Sequence, residues 1–235
     1  MGYICSETSQ NTNNNITMEN LCDKLLKKGY IKSQIVYETM LKVDRADFCP
    51  FYPYENRPQP LDYNATISAP SIHSYCLELL KDHLKEGNKA LDIGFGSGYL
   101  TVAMSRMMGE KEIVIGIEHI KELIYFAIDN ISKNHKDLLD SRKILLFEGD
   151  GRLGFEKMGP YNCILVGAAI KEIPKALIDQ LDFGGRLVIP IGNQGEKQNI
   201  YIIDKDSYGK ISSKKKLAVS FVPLTSIEEQ LEEEY

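Results

Sequence analysis

Tryptophan is absent from the 235 residues, and no CxxC pair occurs among the five cysteines, Cys5, Cys22, Cys49, Cys76 and Cys163. Five is odd, so a complete set of disulfides cannot form, and the wide spacing matches no metal-ligand pattern. Reduced thiols in a cytoplasmic chain without bound metal are the expectation. Long apolar runs are missing too. The longest, such as 164–170, are strand-length and far short of the roughly 20 residues of a membrane helix, so no stable membrane insertion is expected. The start lacks the charged and apolar regions of a secretory signal. It does read Met1-Gly2-Tyr3-Ile4-Cys5-Ser6, the loose pattern for myristoylation of Gly2 beside a palmitoylatable Cys5. The bulky Tyr3 next to the acceptor glycine disfavours it, and an unmodified end is expected.

An excess of one charge is also lacking outside the C-terminus. The formal net charge is −5, but residues 226–235 hold five Glu and no Lys or Arg, leaving 28 acids against 28 bases elsewhere. A balanced body offers no electrostatic footprint for nucleic acid. The hydrophobic share of 43% and charged share of 26% are those of a globular protein. The length suits one large core and would cramp two full domains.

Residues 7–17 are polar and Asn-rich, with too little apolar surface to offset ordering, and residues 1–17 read as a disordered leader. Leu21, Leu25 and Leu26, closed by Gly29, predict a short helix, and Ile35, Val36, Met40 and Val43 a second that opens at Ser33. Pro50, Pro53, Pro58 and Pro60 make 50–60 a wrapping loop. Ile72, Tyr75, Cys76, Leu79, Leu80, His83 and Leu84 recur at helical steps and predict one buried stripe. In that pattern His73 falls on the polar side and reads as exposed or capping, whereas His83 reads as core.

Alternation follows. Strands are predicted at 89–93, 112–117, 143–147, 162–166 and 186–191, with helices at 99–108, 120–134 and 174–181, the last with Pro174 at a first helical position. Such alternation implies βαβ units and a parallel, doubly wound α/β sheet. Two β-rich runs, 199–203 and 217–223, have no helix between them and predict an antiparallel hairpin at the sheet edge. Lys214–Lys216 reads as a solvated basic turn.

Residues 91–98 read LDIGFGSG, ending the first strand and opening the next helix. In an open α/β sheet that is where ligands bind. Glycines there permit a tight turn and close approach of backbone to ligand. The spacing at Gly94, Gly96 and Gly98 is G-x-G-x-G, not the G-x-G-x-x-G of dinucleotide sites, and Tyr99 stands where the last dinucleotide glycine would be. Asp92 ends the first strand. Glu118 ends the second, where an acid commonly accepts both ribose hydroxyls, for NAD as well as for S-adenosylmethionine. Asp150, in Gly149-Asp150-Gly151 after the third, is placed to accept from an adenine amino group. Periodicity and spacing alone stop at a nucleoside-binding α/β enzyme.

Longer motifs are more specific: ATISAP at 65–70 with His73 three residues on, the LDIGFGSG loop, IGIEHIKEL at 115–123, GDGR at 149–152, VGAA at 166–169, ALIDQL at 176–181, GGRLVIPIG at 184–192 and FVPLT at 221–225. Together, from about Leu21 to Gln230, they resemble the protein-L-isoaspartate (D-aspartate) O-methyltransferase family. ATISAP is the diagnostic piece, because generic methyltransferases carry the glycine loop without it. Phe95, Ser71 and Glu118 are mild departures from the family pattern.

The resemblance implies a Rossmann-like class I methyltransferase fold over 18–230, followed by an acidic tail at 231–235. It implies S-adenosylmethionine as cofactor, S-adenosylhomocysteine as product, and isoaspartyl-containing proteins as partners, with D-aspartyl residues as further substrates; a monomer is expected. Ala65, Thr66, Ile67, Ser68, His73, Asp92, Gly94, Gly96, Ser97, Gly98, Glu118, His119, Asp150, Gly151, Thr225 and Gln230 would line the cofactor site. Ser68, the counterpart of the family's catalytic serine, and Val222 would meet the substrate. The implied reaction is transfer of the sulfonium methyl to the free α-carboxylate of an L-isoaspartyl residue, opening repair through a succinimide. Two other classes stay open at this point: a nicotinamide oxidoreductase, which Tyr99 disfavours, and a silent cofactor-binding protein, which the intact Ser68 disfavours.

Overall fold

The computed structural model describes residues 17–232; the lipidation motif at Gly2 and Cys5, the leader up to residue 16 and tail residues 233–235 lie outside the described residues. Thr17, expected in the leader, is instead the N-cap of α1 (Met18–Lys27), its hydroxyl accepting from the Asn20 amide at 3.2 Å. This is the usual device for satisfying a free N–H at a helix start. Leu21, Cys22 and Leu25 are buried on α1, while Leu26 is exposed. Ser33 caps α2 (Gln34–Lys42) by its backbone position. The proline-rich loop ends earlier than expected, because Gln59–Pro60 form β1, antiparallel to β2 (Thr66–Ile67).

The predicted stripe on α3 (Pro70–Leu80) is rotated in the structure. Its buried face is His73, Ser74, Cys76, Leu77 and Leu80, whereas Ile72, Tyr75 and Leu79 are half-buried. The helix stops at Leu80, so His83 lies in the turn beyond it and is half-buried rather than core. His73, expected at the surface, is interior. The packing of α3 against α2 and β7 decides which side faces in; apolar count along the helix does not.

The predicted α/β core forms a seven-stranded sheet. Its strands are β3 (Lys89–Ile93), β4 (Ile113–Glu118), β5 (Ile144–Glu148), β6 (Tyr161–Val166), β7 (Leu181–Ile191), β8 (Gln198–Lys205) and β9 (Ile211–Val219), in the order β5-β4-β3-β6-β7-β8-β9. Strands β3 to β7 run parallel, and β7-β8 and β8-β9 are antiparallel. Alternate residues serve the two sheet faces. Ala90, Val114, Cys163, Leu165 and Val188 join one core with the N-terminal helices. Leu91, Ile93, Ile115, Ile164, Val166 and Leu187 join the other. Burial on both faces is why these strands are apolar throughout.

The helices α4 (Tyr99–Met108), α5 (Lys121–Asn134), α6 (Lys136–Asp140), α7 (Lys175–Asp179) and α8 (Ile227–Glu232) complete the fold. Pro174 caps α7 from outside instead of occupying its first turn. Leu231 and Glu232, expected in the acidic tail, belong to α8.

Two strand expectations needed correction. β7 starts at Leu181 because the Gly184-Gly185 pair makes an irregularity within the strand, the register stepping from Tyr161↔Leu181 to Cys163↔Arg186. The edge strand is Ile211–Val219, so Lys214–Lys216 lie within it, and 217–223 forms no single strand. Almost every β9 residue is exposed, so no alternation marks it; lysines on such an edge also discourage pairing with another chain. The residues beyond it instead cross the strand ends, where the Ala169 amide donates to Val222 O at 2.8 Å and the Leu224 amide to Ala169 O at 2.7 Å.

Candidate active site

The chain order reverses between β3 and β6, which places a crevice at their carboxyl ends. After β3 the backbone turns through Gly94, Gly96 and Gly98 at φ of +70°, +51° and +85°, a region open chiefly to glycine. A Cβ on Gly94 would meet nothing within 4 Å, so this glycine faces open space. A Cβ on Gly167, after β6, would stand 2.7 Å from the Gly94 carbonyl oxygen. Only glycine lets the two strand ends close on one another there.

Two adjoining clefts result. The larger, about 530 Å³, is bordered by Ala65, Thr66, Glu118, His119, Gly151 and the 222–225 segment among others. The smaller, about 380 Å³, is bordered by Ile67, Ser68, His73, Asp92, Ser97 and Tyr99 among others. Thr66, Gly94, Gly96 and Gly167 border both.

Glu118, at the end of β4, is buried against the glycine loop. Its Oε2 accepts from the Gly96 amide at 3.2 Å, and its Oε1 from the amides of His119 at 2.9 Å and Ile120 at 3.3 Å. Burial raises its pKa, with the backbone donors and His119 pulling the other way. Asp92 is buried as well; burial pushes its carboxyl up to about 7 although Thr101 Oγ1 donates to it at 2.6 Å. The larger cleft is closed by α8. His119 Nε2 donates to Gln230 Oε1 at 2.7 Å, Gln230 Nε2 donates to Tyr63 O at 2.7 Å, and Asn64 Nδ2 donates to Gln230 O at 2.9 Å.

Gln230 thus ties the turn before ATIS to the loop after β4. Thr225 borders the same cleft and pairs through its hydroxyl with Glu229. Ser68, half-buried, makes no side-chain hydrogen bond among the described residues, leaving its hydroxyl open to the small cleft.

Two of the expected residues stand apart from the clefts. A Cβ on Gly98 would lie 3.2 Å from Ala127 Cβ and 3.3 Å from Ile131 Cδ1. That glycine lets α4 pack against α5. The Asp150 carboxylate is held by Arg152, which donates from Nη2 at 2.7 Å and from its amide at 2.9 Å. This pairing holds Asp150 below its ordinary pKa, and its neighbours Gly149 and Gly151 border the larger cleft. Conversely, Leu123, Gly167, Ala168 and Tyr99 border the clefts although none was expected to line the cofactor site. Gly167 was marked only by VGAA following a strand, and its role needs the partner strand to be seen.

A model of the protein-L-isoaspartate (D-aspartate) O-methyltransferase family matches residues 16–229. The chain belongs to this family. A protein-L-isoaspartate O-methyltransferase of Caenorhabditis elegans is 48% identical over 214 residues, spanning 91% of this chain and 95% of that one. One from Triticum aestivum is 44% identical over 216 residues, spanning 91% and 93%. A crystal structure of the Plasmodium falciparum protein-L-isoaspartate O-methyltransferase in complex with S-adenosyl-L-homocysteine superposes with a TM-score of 0.84 at 34% identity, covering 89% of this chain and 98% of that one. Family membership removes the nicotinamide reading that the acid at Glu118 had left open.

Proposed function

We propose that the chain is an S-adenosylmethionine-dependent protein-L-isoaspartate O-methyltransferase that esterifies the free α-carboxylate of L-isoaspartyl, and also D-aspartyl, residues in damaged proteins. One observation carries the assignment of roles. The cleft with the buried Glu118 carboxylate shares Thr66, Gly94, Gly96 and Gly167 with the smaller cleft that holds the free Ser68 hydroxyl.

The larger cleft fits the cofactor. Glu118 supplies the acceptor for a ribose diol, Gly94 and Gly96 admit close backbone approach, and Ile117, Leu123 and Leu224 give the apolar walls a base needs. Ala65 and Thr66 flank it on one side, and His119, Thr225 and Gln230 close the other. Bound there, the cofactor supplies an electrophilic methyl group on a sulfonium.

The chain's own residues then have a positioning task. A carboxylate with a pKa near 3–4 is ionised at neutral pH, so no general base is required. Ser68 donates a hydrogen bond that fixes the acceptor carboxylate in line with the methyl, and Val222 gives an apolar contact beside it. Holding the reactants in line removes an entropic barrier. The following backbone nitrogen attacks the ester carbonyl and expels methanol, closing a succinimide, and addition of water to that ring returns some normal aspartate. We place this reaction in the cytoplasm, with a single chain sufficient. The four cysteines of the described residues are free and buried, and no described helix is long and apolar enough to cross a membrane.

Two peptides test the reading, identical except that one carries a normal aspartyl residue and the other an isoaspartyl residue. They differ in the placement of one methylene and not in charge. A misplacement of about 1 Å at the reacting oxygen costs ~10²-fold in rate. Labelled methyl should enter the isoaspartyl peptide and almost none its twin. Equal labelling of both would refute the repair function.

A further inference from the structure

Beneath the small cleft lies a buried cation to which the reaction above gives no role. Arg45, in the short turn Arg45–Asp47, is 0% exposed. Its Nη1 stands 3.1 Å from His73 Nδ1, and its guanidinium carbon lies 5.9 Å from the centre of the Tyr99 ring. Its Nε and Nη2 are buried with no hydrogen-bond partner among the described residues. A buried charge without a carboxylate is expensive, and an apolar side chain of similar volume serves packing better. Packing alone therefore does not account for an arginine here.

The donor inventory settles the state of its neighbour. A guanidinium has five N–H donors and no acceptor. At 3.1 Å from Nη1, His73 Nδ1 must be the acceptor, so it carries no proton, and the imidazole is neutral with its hydrogen on Nε2. The ring cannot readily turn over, because it stacks on Tyr99 at 4.7 Å between centres and 17° between planes. Its other edge carries Nε2, which has no hydrogen-bond partner among the described residues, and the ring borders the cleft that holds Ser68, Asp92 and Gly96.

We propose that Arg45 is a positioning residue for methyl transfer: it holds His73 as the neutral Nε2–H tautomer, a fixed donor to a carboxylate in the Ser68 cleft. A neutral donor orients an anionic oxygen without the full positive charge that would hold its lone pair and blunt its nucleophilicity. Two carboxylates come to this cleft under the proposed function, the acceptor's α-carboxylate and that of the cofactor's amino-acid end. The assignment of a ligand rests on that function; the tautomer does not.

The surroundings of His73 agree. Burial and the charge of Arg45 hold the imidazole well below its ordinary pKa. The groups facing it are Arg45 from the turn, Tyr99 from α4, Asp92 of β3 across the cleft, and Cys76 one turn on in its own helix. Tyr99 and Cys76 are themselves held neutral by burial.

The test is nitrogen NMR of the full chain, labelled in its four histidines, with His73 assigned by its loss in His73→Asn. In the ligand-free protein His73 should show an unprotonated Nδ1 and a protonated Nε2, unchanged from pH 8 down to pH 5. Adding S-adenosylhomocysteine and then an isoaspartyl peptide should shift Nε2, and the addition that does so identifies the carboxylate.

Arg45→Met removes both donor and charge. Burial still holds His73 below its ordinary value in that variant, but loss of the Arg45 charge should move its titration upward from the parent's, and kcat/KM should fall by about tenfold with activity declining at a higher pH than in the parent. Arg45→Lys, which keeps a donor-only cation, should restore the parental tautomer and pH profile. A His73 that is protonated, or carries its hydrogen on Nδ1, in the parent at pH 7 overturns the proposal. So does an Arg45→Met protein with parental tautomer and pH profile, or a Nε2 that neither addition shifts. If Arg45→Met does not fold, the parent spectrum and Arg45→Lys still decide. A correct tautomer with no isoaspartyl methylation would fault the proposed function and leave the Arg45–His73 pairing standing.

Discussion

Replacing Glu118 by glutamine changes one terminal atom of a buried side chain and separates ligand binding from folding. In the parent the carboxylate accepts from three backbone amides, those of Gly96, His119 and Ile120. The amide can keep its oxygen on His119 and Ile120. Its NH2 end then faces the Gly96 amide, donor against donor, and presents a donor where a ribose diol needs an acceptor. Hydrogen bonds to a charged acceptor are worth roughly 1.5–3 kcal/mol. Affinity for S-adenosylhomocysteine should therefore fall about 10- to 150-fold.

Stability should behave differently. A carboxyl whose folded pKa is raised contributes most below its unfolded pKa, near 4.3, and that contribution is lost as pH rises through the folded value. At pH 7–8 the ionised Glu118 is thus a cost that glutamine avoids, offsetting the mismatch at Gly96. Ligand-free Glu118→Gln should unfold within about 1 kcal/mol of the parent. Calorimetric titration and denaturant unfolding on the same preparation read the two quantities. A folded variant that binds S-adenosylhomocysteine within twofold of the parent would refute the assignment of Glu118 to the ribose.

Ser68→Ala should fold, bind S-adenosylhomocysteine as the parent does, and lose ~10²-fold in turnover, as removal of one orienting donor typically costs; full activity would reduce Ser68 to a loop residue. Gly98→Ala places a Cβ 3.2 Å from Ala127 at φ +85°, and should cost about 1–3 kcal/mol of stability while leaving cofactor affinity intact. Loss of affinity with unchanged unfolding would return Gly98 to the binding loop. Asp92, with its carboxyl pushed up to about 7 by burial, should subtract stability as pH rises from about 4 to 7, by up to ~4 kcal/mol. Urea midpoints of Asp92→Asn should diverge upward from the parent over that window and run parallel above it, and curves parallel throughout would show that the buried carboxyl does not titrate as described.

Local patterning alone determined the alternating α/β core. β3, β4 and β6 are short apolar runs between turn residues, and burial on both sheet faces demands that composition whatever the neighbours are. The glycine loop was equally legible, because a chain turning three times through positive φ needs Gly94, Gly96 and Gly98 at those positions. The β9 strand was illegible for the opposite reason. An exposed edge is held by backbone hydrogen bonds to β8, which leave no mark on Ser212, Ser213 and Lys214–Lys216.

Only the tertiary structure decided what the candidate residues face. Gly98 and Gly96 look alike in the loop, but the arrival of α5 makes one a packing contact and leaves the other beside a ligand cleft. Glu118 ends β4 and Asp150 follows β5, yet Asp150 pairs with a guanidinium two residues on, while backbone amides hold Glu118 at the cleft edge. Arg45 and His73 are 28 residues apart, and the sequence placed His73 at the surface. Their pairing depends on α3 turning His73 inward, where its ring stacks on Tyr99. Hydropathy along the chain encodes how much surface must be buried; which polar group shares a buried pocket with which is fixed by the packing of elements distant in sequence.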